Sequence, residues 1–564
     1  MLTTTKTGIS RFIENCVSQG LKHVVCSPGS RNAALLIAID NHPEMETTVV
    51  PDERSAAFFA LGIAQQTKAP VGVVCTSGSA MLNYYPAVAE AFYQCIPLVV
   101  ISADRPQEWV NHGDGQTIVQ SGVYTNHIHA EVQIKEFVNS DDLTQFDEQI
   151  IDAFKKANGD WKGPIHFNCP ITEPMYDTID SDRPNVPKRF VSEEPSFGDL
   201  QRAELKESWN QSNKRLILCG QMDPNPAVLN ALIDLSEDAS VAVLVENTSN
   251  LIHPKFNHCI DRSLGAITPE EIEDFQPDFL ITIGGAIISK RIKNFLRNAP
   301  IQAHWRIGAS FPEMDTYRKL THSIKISPSR FLKSIPELNE TAHVSQFGWK
   351  WKQKDFLIQE KLPAFIEQAP YSDFAVFEVV LDCIPDGSKL HMANSSVVRY
   401  GQLFDPVKTI SYFANRGTSG IDGSSSTAAG ASFATPNDLN VLITGDLSFF
   451  YDSNAFWNRH LRENLKVIVI NNGGGGIFRI IEGPSKVNQL ERYFETEQNA
   501  SVQGICDAFN LNYLSANNLV EVEKGMVQLL TEHEDGRPTV LEIFTPNTMN
   551  PEVLTNFFKH IKTT

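Results

Sequence analysis

Positive charge is scarce in this chain. Its 564 residues carry 48 Lys and Arg against 67 Asp and Glu, a formal net charge of −19. That balance argues against nucleic acid as a partner. Any anionic substrate must then be held by a local basic cluster, which works because the global field is screened beyond about 10 Å. Long apolar runs are also missing. None reaches the ~18 residues of a membrane span. The opening segment, Met1 to Lys6, has neither the apolar core of a signal peptide nor the Arg-rich look of a transit peptide. The expectation is a cytoplasmic protein. None of the nine cysteines forms a Cys-x-x-Cys pair, and their number is odd. A disulfide framework or zinc site is therefore disfavoured, and buried free thiols are expected.

What is present is an alternation of apolar strands and helical segments, an α/β pattern with parallel sheets. Strands are expected at His23–Cys26, Thr47–Val50, Val71–Cys75 and Leu98–Ser102, with helices at Arg31–Asp40 and Ser55–Gln66 between them. A Pro- and Ser-rich stretch from Asp180 to Gly198 reads as a linker. A second block holds strands at Arg215–Gly220, Val241–Glu246 and Phe279–Ile283; Trp349–Ala369 reads as a connecting helix. The third block has strands at Lys389–Met392, Thr409–Phe413, Asn440–Thr444, Val467–Ile470 and Thr539–Ile543. Blocks one and three both close on a proline-flanked strand, Pro164 to Pro170 and Pro538 to Pro546, which hints that they are structural relatives. Three doubly wound domains are expected, at 1–182, 183–345 and 346–564.

The chemistry gathers just after these strands, where an open α/β sheet binds its ligand. Gly445-Asp446-Leu447-Ser448 follows one strand, and Asn471-Asn472 with Gly473 to Gly476 follows the next. Asp446 and Asn472 stand 26 positions apart. Two hard oxygen donors at neighbouring strand ends suit Mg²⁺ on a diphosphate. Each half alone is also an ordinary turn. Ser27-Pro28-Gly29-Ser30-Arg31-Asn32 places an arginine at a strand-to-helix turn, with Ser30 as a candidate helix cap. Glu53 opens a helix rich in small residues that permit close packing. Thr76 to Ala80, Ser102 to Pro106 and Gly113 to Gln116 offer further amides and hydroxyls. Lys290-Arg291 is either a solvated helix face or a carboxylate anchor. The preceding Ile283 to Ser289 segment is not Gly-x-Gly-x-x-Gly, so a dinucleotide reading is weak. Asn394 to Arg399 and Asn415 to Gly423 each follow a strand and add an arginine.

Together these motifs resemble the thiamine-diphosphate-dependent enzymes. Within them, they resemble the branch of 2-succinyl-5-enolpyruvyl-6-hydroxy-3-cyclohexene-1-carboxylate synthases of menaquinone biosynthesis. Gly-Asp-Leu at 445–447, where the wider superfamily has Gly-Asp-Gly, agrees with that branch. The resemblance implies that domains one and three share the thiamine-diphosphate-binding fold, binding pyrimidine and diphosphate respectively. It implies an active site between the first domain of one subunit and the third of another, hence a homodimer at minimum and commonly a homotetramer. Asp446, Asn472 and the Gly474 carbonyl would hold Mg²⁺ (or Mn²⁺). Gly420, Gly445, Leu447, Ser448 and Ser395 would line the cofactor, and Ile421 would prop it in its bent form. Ile477 and Phe478 would line the reacting centre, and Glu53 would hydrogen-bond the aminopyrimidine and promote its activating tautomer. The branch decarboxylates 2-oxoglutarate and adds the product carbanion to isochorismate. Both are dianions, for which Arg31, Arg105, Lys290, Arg291, Arg399 and Arg416 are the candidate anchors, with Ser30, Gln116 and Ser395 as neutral donors. Arg31, Gln116 and Ser395 join Glu53 as candidate catalytic residues. Another 2-oxoacid decarboxylase, an acetohydroxyacid synthase, and a non-catalytic relative are the competing readings; the last predicts a lost Glu53 or a broken Asp446–Asn472 pair, and neither is seen.

Overall fold

The computed structural model describes residues 1–188, 198–338, 345–480, 483–531 and 536–562. Residues 189–197 of the expected linker at 180–198 therefore fall outside the described residues. Three parallel sheets organise the chain. The first runs, across its width, Glu46–Val49, His23–Cys26, Val71–Cys75, Leu98–Asp104, Ile165–Pro170 and Glu131–Gln133. The third runs Ser411–Phe413, Lys389–Met392, Asn440–Gly445, Leu465–Asn471, Thr539–Phe544 and Asn512–Ala516. Numbered by chain order within each domain, both sheets read 2-1-3-4-6-5. The kinship hinted at by the proline-flanked closing strands is thus a shared topology. The middle sheet has five strands, Val241–Val245, Arg215–Cys219, Phe279–Ile283, Ala303–Ile307 and His322–Ile324, in the order 2-1-3-4-5.

The inner strands are largely buried because helices cover both faces of each sheet. Every residue of Val71–Cys75, Leu98–Asp104 and Leu465–Asn471 is buried. Strand Ile165–Pro170 extends the first sheet as expected. An antiparallel pair, Leu2–Thr4 with Thr178–Asp180, ties the N-terminus to the end of the first domain.

The first and third domains meet through two helices, Glu53–Thr67 and Ser424–Ala434. Their packing follows from residue size. A methyl placed on Gly62 would strike the Thr427 carbonyl, and one on Gly430 would strike the Phe59 backbone. Phe58, Phe59, Ala428, Leu442 and Phe449 close one core that spans both domains. Each fully buried phenylalanine contributes roughly 1.5–3 kcal/mol. The connecting helix is Phe347–Gln368, and its Gly348 lies against the Val241 carbonyl of the middle sheet. All nine cysteines are free, and seven are buried. Among the described residues no helix is long and apolar enough to cross a membrane.

Candidate active site

Each strand end in the third domain carries part of the site. Asp446 follows Asn440–Gly445 and opens a short helix, Asp446–Tyr451. It is 2% exposed. One carboxylate oxygen accepts from the Leu447 N–H at 2.8 Å, the other from the Gln498 amide at 3.2 Å. Burial pushes the carboxyl up to about 6 against those bonds. Asn472 follows Leu465–Asn471 and is also buried. Its Nδ2 donates to Asp373 Oδ2 at 3.1 Å, while its Oδ1 has no partner. Ser448 Oγ donates to the Ile421 carbonyl at 3.0 Å, tying the Asp446 helix to the Gly420–Ile421 turn. Asn394 Nδ2 holds the Gly420 carbonyl at 2.6 Å. Ser395 takes a left-handed φ of 76° ahead of the helix Ser396–Tyr400. Ile477 is buried, and Phe478 packs on Phe494 with ring centroids 5.7 Å apart.

Most of the glycines after Asn472 are closely packed. Methyl groups on Gly474 and Gly475 would collide with the Glu495 and Phe494 carbonyls of the π-helical turn Leu490–Glu495. Those glycines make room for that turn, and only Gly473 opens on free space. The Gly474 carbonyl already accepts from the Gly476 N–H at 3.0 Å, which leaves one lone pair for any cation.

In the first domain, Glu53 is the first residue of its helix, capped by Asp52, whose Oδ1 accepts the Ser55 N–H at 3.0 Å. Glu53 is half-buried. Burial raises its carboxyl above the ordinary range, and Asp52 adds to the rise. Cys75 and Tyr84 lie close enough to feel its charge. Asp52 and Arg54 reach the third domain, through Asn454 at 2.6 Å and the Tyr451 carbonyl at 2.7 Å. Ser30 does not cap the next helix. That helix begins at Ala33, its N-cap is Asn32, and Asn32 turns its Nδ2 back to the Ser27 carbonyl at 3.0 Å. Gln116 is exposed, with a left-handed φ of 54°, and its backbone lies over Gly78.

The six basic candidates divide into two sets. Arg31 is buried and donates to the Ile171 carbonyl at 3.1 Å, with Glu173 at 3.5 Å. Arg105 pairs with Asp114 at 3.3 Å and the Gly115 carbonyl at 3.1 Å. The partners of both lie in the first domain. In the other set, Arg291, Arg399 and Arg416 surround two acids, the buried Glu246 and the half-buried Asp261. Arg291 and Arg399 act on Asp261, while Arg416 acts on Glu246. Arg399 donates to the Ser395 carbonyl at 2.5 Å, and Arg416 to Asn394 Oδ1 at 2.7 Å, with its Nε unpartnered. Arg291 also stacks over Phe558 at 4.3 Å. Lys290 is exposed at the start of the helix Lys290–Asn298.

The comparisons with known proteins cover the same three units. Family models of the thiamine pyrophosphate enzyme match its N-terminal TPP binding domain at residues 6–129, its middle domain at 185–391 and its C-terminal TPP binding domain at 395–543. A 2-succinyl-5-enolpyruvyl-6-hydroxy-3-cyclohexene-1-carboxylate synthase from Flavobacterium psychrophilum is 44% identical over 98% of both chains. Proteins of the same name from Christiangramia forsetii and Porphyromonas gingivalis are 42% and 38% identical, covering 97% and 99% of this chain and 97% of each relative. The chain belongs to this synthase family of thiamine-diphosphate enzymes.

The residues of this synthase also fit the metal that such a cofactor implies. Among the described residues no Lys, Arg or His pairs with Asp446 or Asp373, and Asn472 Oδ1 is a buried acceptor without a donor. A buried carboxylate and an orphaned amide oxygen are hard donors that a divalent cation satisfies. Among the described residues, no group of three or more His, Cys, Asp or Glu could hold a metal.

Four residues of the site escaped the sequence reading. Glu90, from the first domain, accepts from the Gly417 and Thr418 N–H groups at 2.7 and 2.6 Å, and so holds the loop that bears Arg416. Glu246, from the middle domain, accepts from the Ile288 and Ser289 N–H groups at 2.7 and 2.8 Å, just before Lys290. Lys293 faces Glu246, Arg416 and Arg399, and burial lowers its pKa. The run Lys290-Arg291-x-Lys293 was its visible signal. Asp373 holds Asn472.

Proposed function

We propose that this synthase decarboxylates 2-oxoglutarate and adds the resulting carbanion to isochorismate, in menaquinone biosynthesis, with Asp446, Asn472 and the Gly474 carbonyl holding Mg²⁺ (or Mn²⁺) against the cofactor diphosphate. The observation that carries the reading is the buried Asp446 carboxylate, which has no basic partner among the described residues, and the unpartnered Oδ1 of Asn472 at the adjacent strand end, in a chain that matches such synthases over nearly its full length. When bound, thiamine diphosphate supplies the electron sink for decarboxylation and carbon–carbon bond formation. The protein supplies position and charge. Glu53, whose carboxyl burial raises above the ordinary range, would hydrogen-bond the aminopyrimidine of the bound cofactor and promote its activating tautomer. Arg291, Lys293, Arg399 and Arg416 converge without enough acid to neutralise them, which suits a dianion. Arg31 and Arg105 have only distant or exposed acid partners and can turn to a second carboxylate, with Ser30, Gln116 and Ser395 as neutral donors. Ile421, Ile477 and Phe478 exclude water from the reacting carbon.

The domain limits in this reading are 1–182, 183–345 and 346–564. A homodimer completes the site, and a homotetramer is the expected assembly. Support comes from apolar side chains left in solvent at the carboxyl edge of the first sheet: Leu82, Trp109 and Val119 are 44, 53 and 56% exposed. Nine free thiols fit the cytoplasm.

The test is direct. The purified protein is incubated with thiamine diphosphate, Mg²⁺, 2-oxoglutarate and isochorismate, and isochorismate loss is followed. Loss that requires 2-oxoglutarate is expected. Turnover of pyruvate with no loss of isochorismate would point to a small-oxoacid enzyme instead.

A further inference from the structure

We propose that Asp373 is the positioning residue that seats Asn472 with its carbonyl oxygen toward the cation; this rests on the metal reading above. A side-chain amide can occupy one envelope in two ways that differ by a half-turn, exchanging oxygen and nitrogen. Which one it takes is decided by its neighbours. Asp373 is 1% exposed and is the first residue of the helix Asp373–Cys383, where the helix dipole favours a carboxylate. Its backbone N–H donates to Asn550 Oδ1 at 2.9 Å, and Ser372 caps the same turn. Its carboxylate is used on both sides. Oδ1 accepts the Thr545 hydroxyl at 2.6 Å, and Oδ2 accepts the Asn472 Nδ2 at 3.1 Å.

Thr545 is itself fixed, because its N–H donates to the Asn471 carbonyl at 3.0 Å. The acid is thus held from three directions and presents one free acceptor to Asn472. Turning the amide over would set its carbonyl oxygen against the Asp373 carboxylate, acceptor against acceptor. The seated form leaves Asn472 Oδ1 buried with no donor. Asp373 also lies close enough to Asp446 for the two carboxylates to repel. Two acids and an orphaned oxygen, with no basic partner for either acid among the described residues, form a pocket of negative potential shaped for a divalent cation. Groups that orient a metal ligand commonly change metal affinity by about 10–100-fold when removed.

The test strips full-length protein of metal with EDTA and measures, by calorimetry, how thiamine diphosphate binding depends on Mg²⁺. Four variants are compared with the unmodified protein: D373A, D373L, D373N and T545V. D373A should raise the half-saturating Mg²⁺ concentration about 10–100-fold. D373L, with the same number of side-chain heavy atoms but unable to accept a hydrogen bond, should do the same and stands in should D373A not fold. D373N keeps a carbonyl for the Asn472 amide and should stay within about threefold of the unmodified protein. T545V removes the other bond to Asp373 and should also stay within about threefold. A purely structural role for Asp373 predicts that T545V and D373A shift Mg²⁺ dependence alike; that result, or a D373A shift under about threefold, overturns the inference. Thiamine diphosphate binding that ignores Mg²⁺ in the unmodified protein overturns the metal reading and the inference with it.

Discussion

Replacing Glu90 by glutamine should loosen a loop that belongs to another domain. Glu90 lies in the helix Tyr85–Gln94 of the first domain and is 1% exposed. Its carboxylate accepts four donors: the Gly417 N–H, the Thr418 N–H, the Thr418 hydroxyl and the Gln94 amide, at 2.7, 2.6, 2.6 and 2.5 Å. A glutamine side chain keeps one oxygen and turns an NH₂ toward the other donors. At least one backbone N–H then faces a donor in a buried setting. A hydrogen bond to a charged group is worth about 1.5–3 kcal/mol, and an unsatisfied buried donor costs about 1–3 kcal/mol. Because the loop can shift to relieve part of this, about 3 kcal/mol is the expected local loss. Amide hydrogen exchange reads it directly. At about 1.4 kcal/mol per tenfold, peptides covering 415–423 should exchange about 100-fold faster in E90Q. The same loop carries Arg416 and Ile421, so the KM for the dianionic substrates should rise with it. Unchanged exchange at Gly417 and Thr418 would refute the claim that Glu90 holds this loop.

Three further outcomes are expected. Glu53→Gln should abolish turnover while the thermal unfolding curve stays within a degree or so, read by isochorismate loss and circular dichroism; near-normal turnover removes Glu53 from its role. Gly430→Val should destabilise the contact between the first and third domains by about 3 kcal/mol, because the new atoms meet the rigid Phe59 backbone, whereas Gly115→Ala, which meets nothing within 4 Å, should change stability by less than about 0.5 kcal/mol in the same urea titration. Asp452 is fully buried, holds the Ser426 N–H and hydroxyl at 2.7 Å each, and is pushed up to about 7 by burial. The folded state therefore holds this proton more tightly than the unfolded one, and the stability it brings is lost as pH rises from the ordinary Asp range through about 7. D452N should gain on the unmodified protein in melting temperature between pH 5 and pH 8, and parallel profiles would contradict this.

What the sequence made legible, and what it hid, follows from how far apart the cooperating residues stand. Most inner strands were readable because burial on both faces favours an unbroken apolar run, as in Val71–Cys75; Ala303–Ile307, whose run is broken by His304 and Arg306, was not. Edge strands lack that demand. Glu131–Gln133 and Asn512–Ala516 each pair on one side only and keep polar or half-exposed residues, so neither announced itself. Candidate ligands were readable because parallel α/β sheets deliver them at strand ends, and Glu53, Arg31, Arg105, Asp446 and Asn472 all follow strands in sequence. The groups that hold those ligands obey no such local rule. Asp373 meets Asn472 across 99 positions, and Glu90 meets Thr418 across 328. A lone acid in a helix carries no mark that distinguishes a buried clamp from a solvated face. The glycines after Asn472 show the same limit from the other side. Two of the four in a row clear the Phe494 and Glu495 carbonyls, a contact set by a turn some twenty residues downstream. A motif marks where chemistry is done; the charges that fix its geometry are chosen by the fold, and they become visible only when the strands are in register.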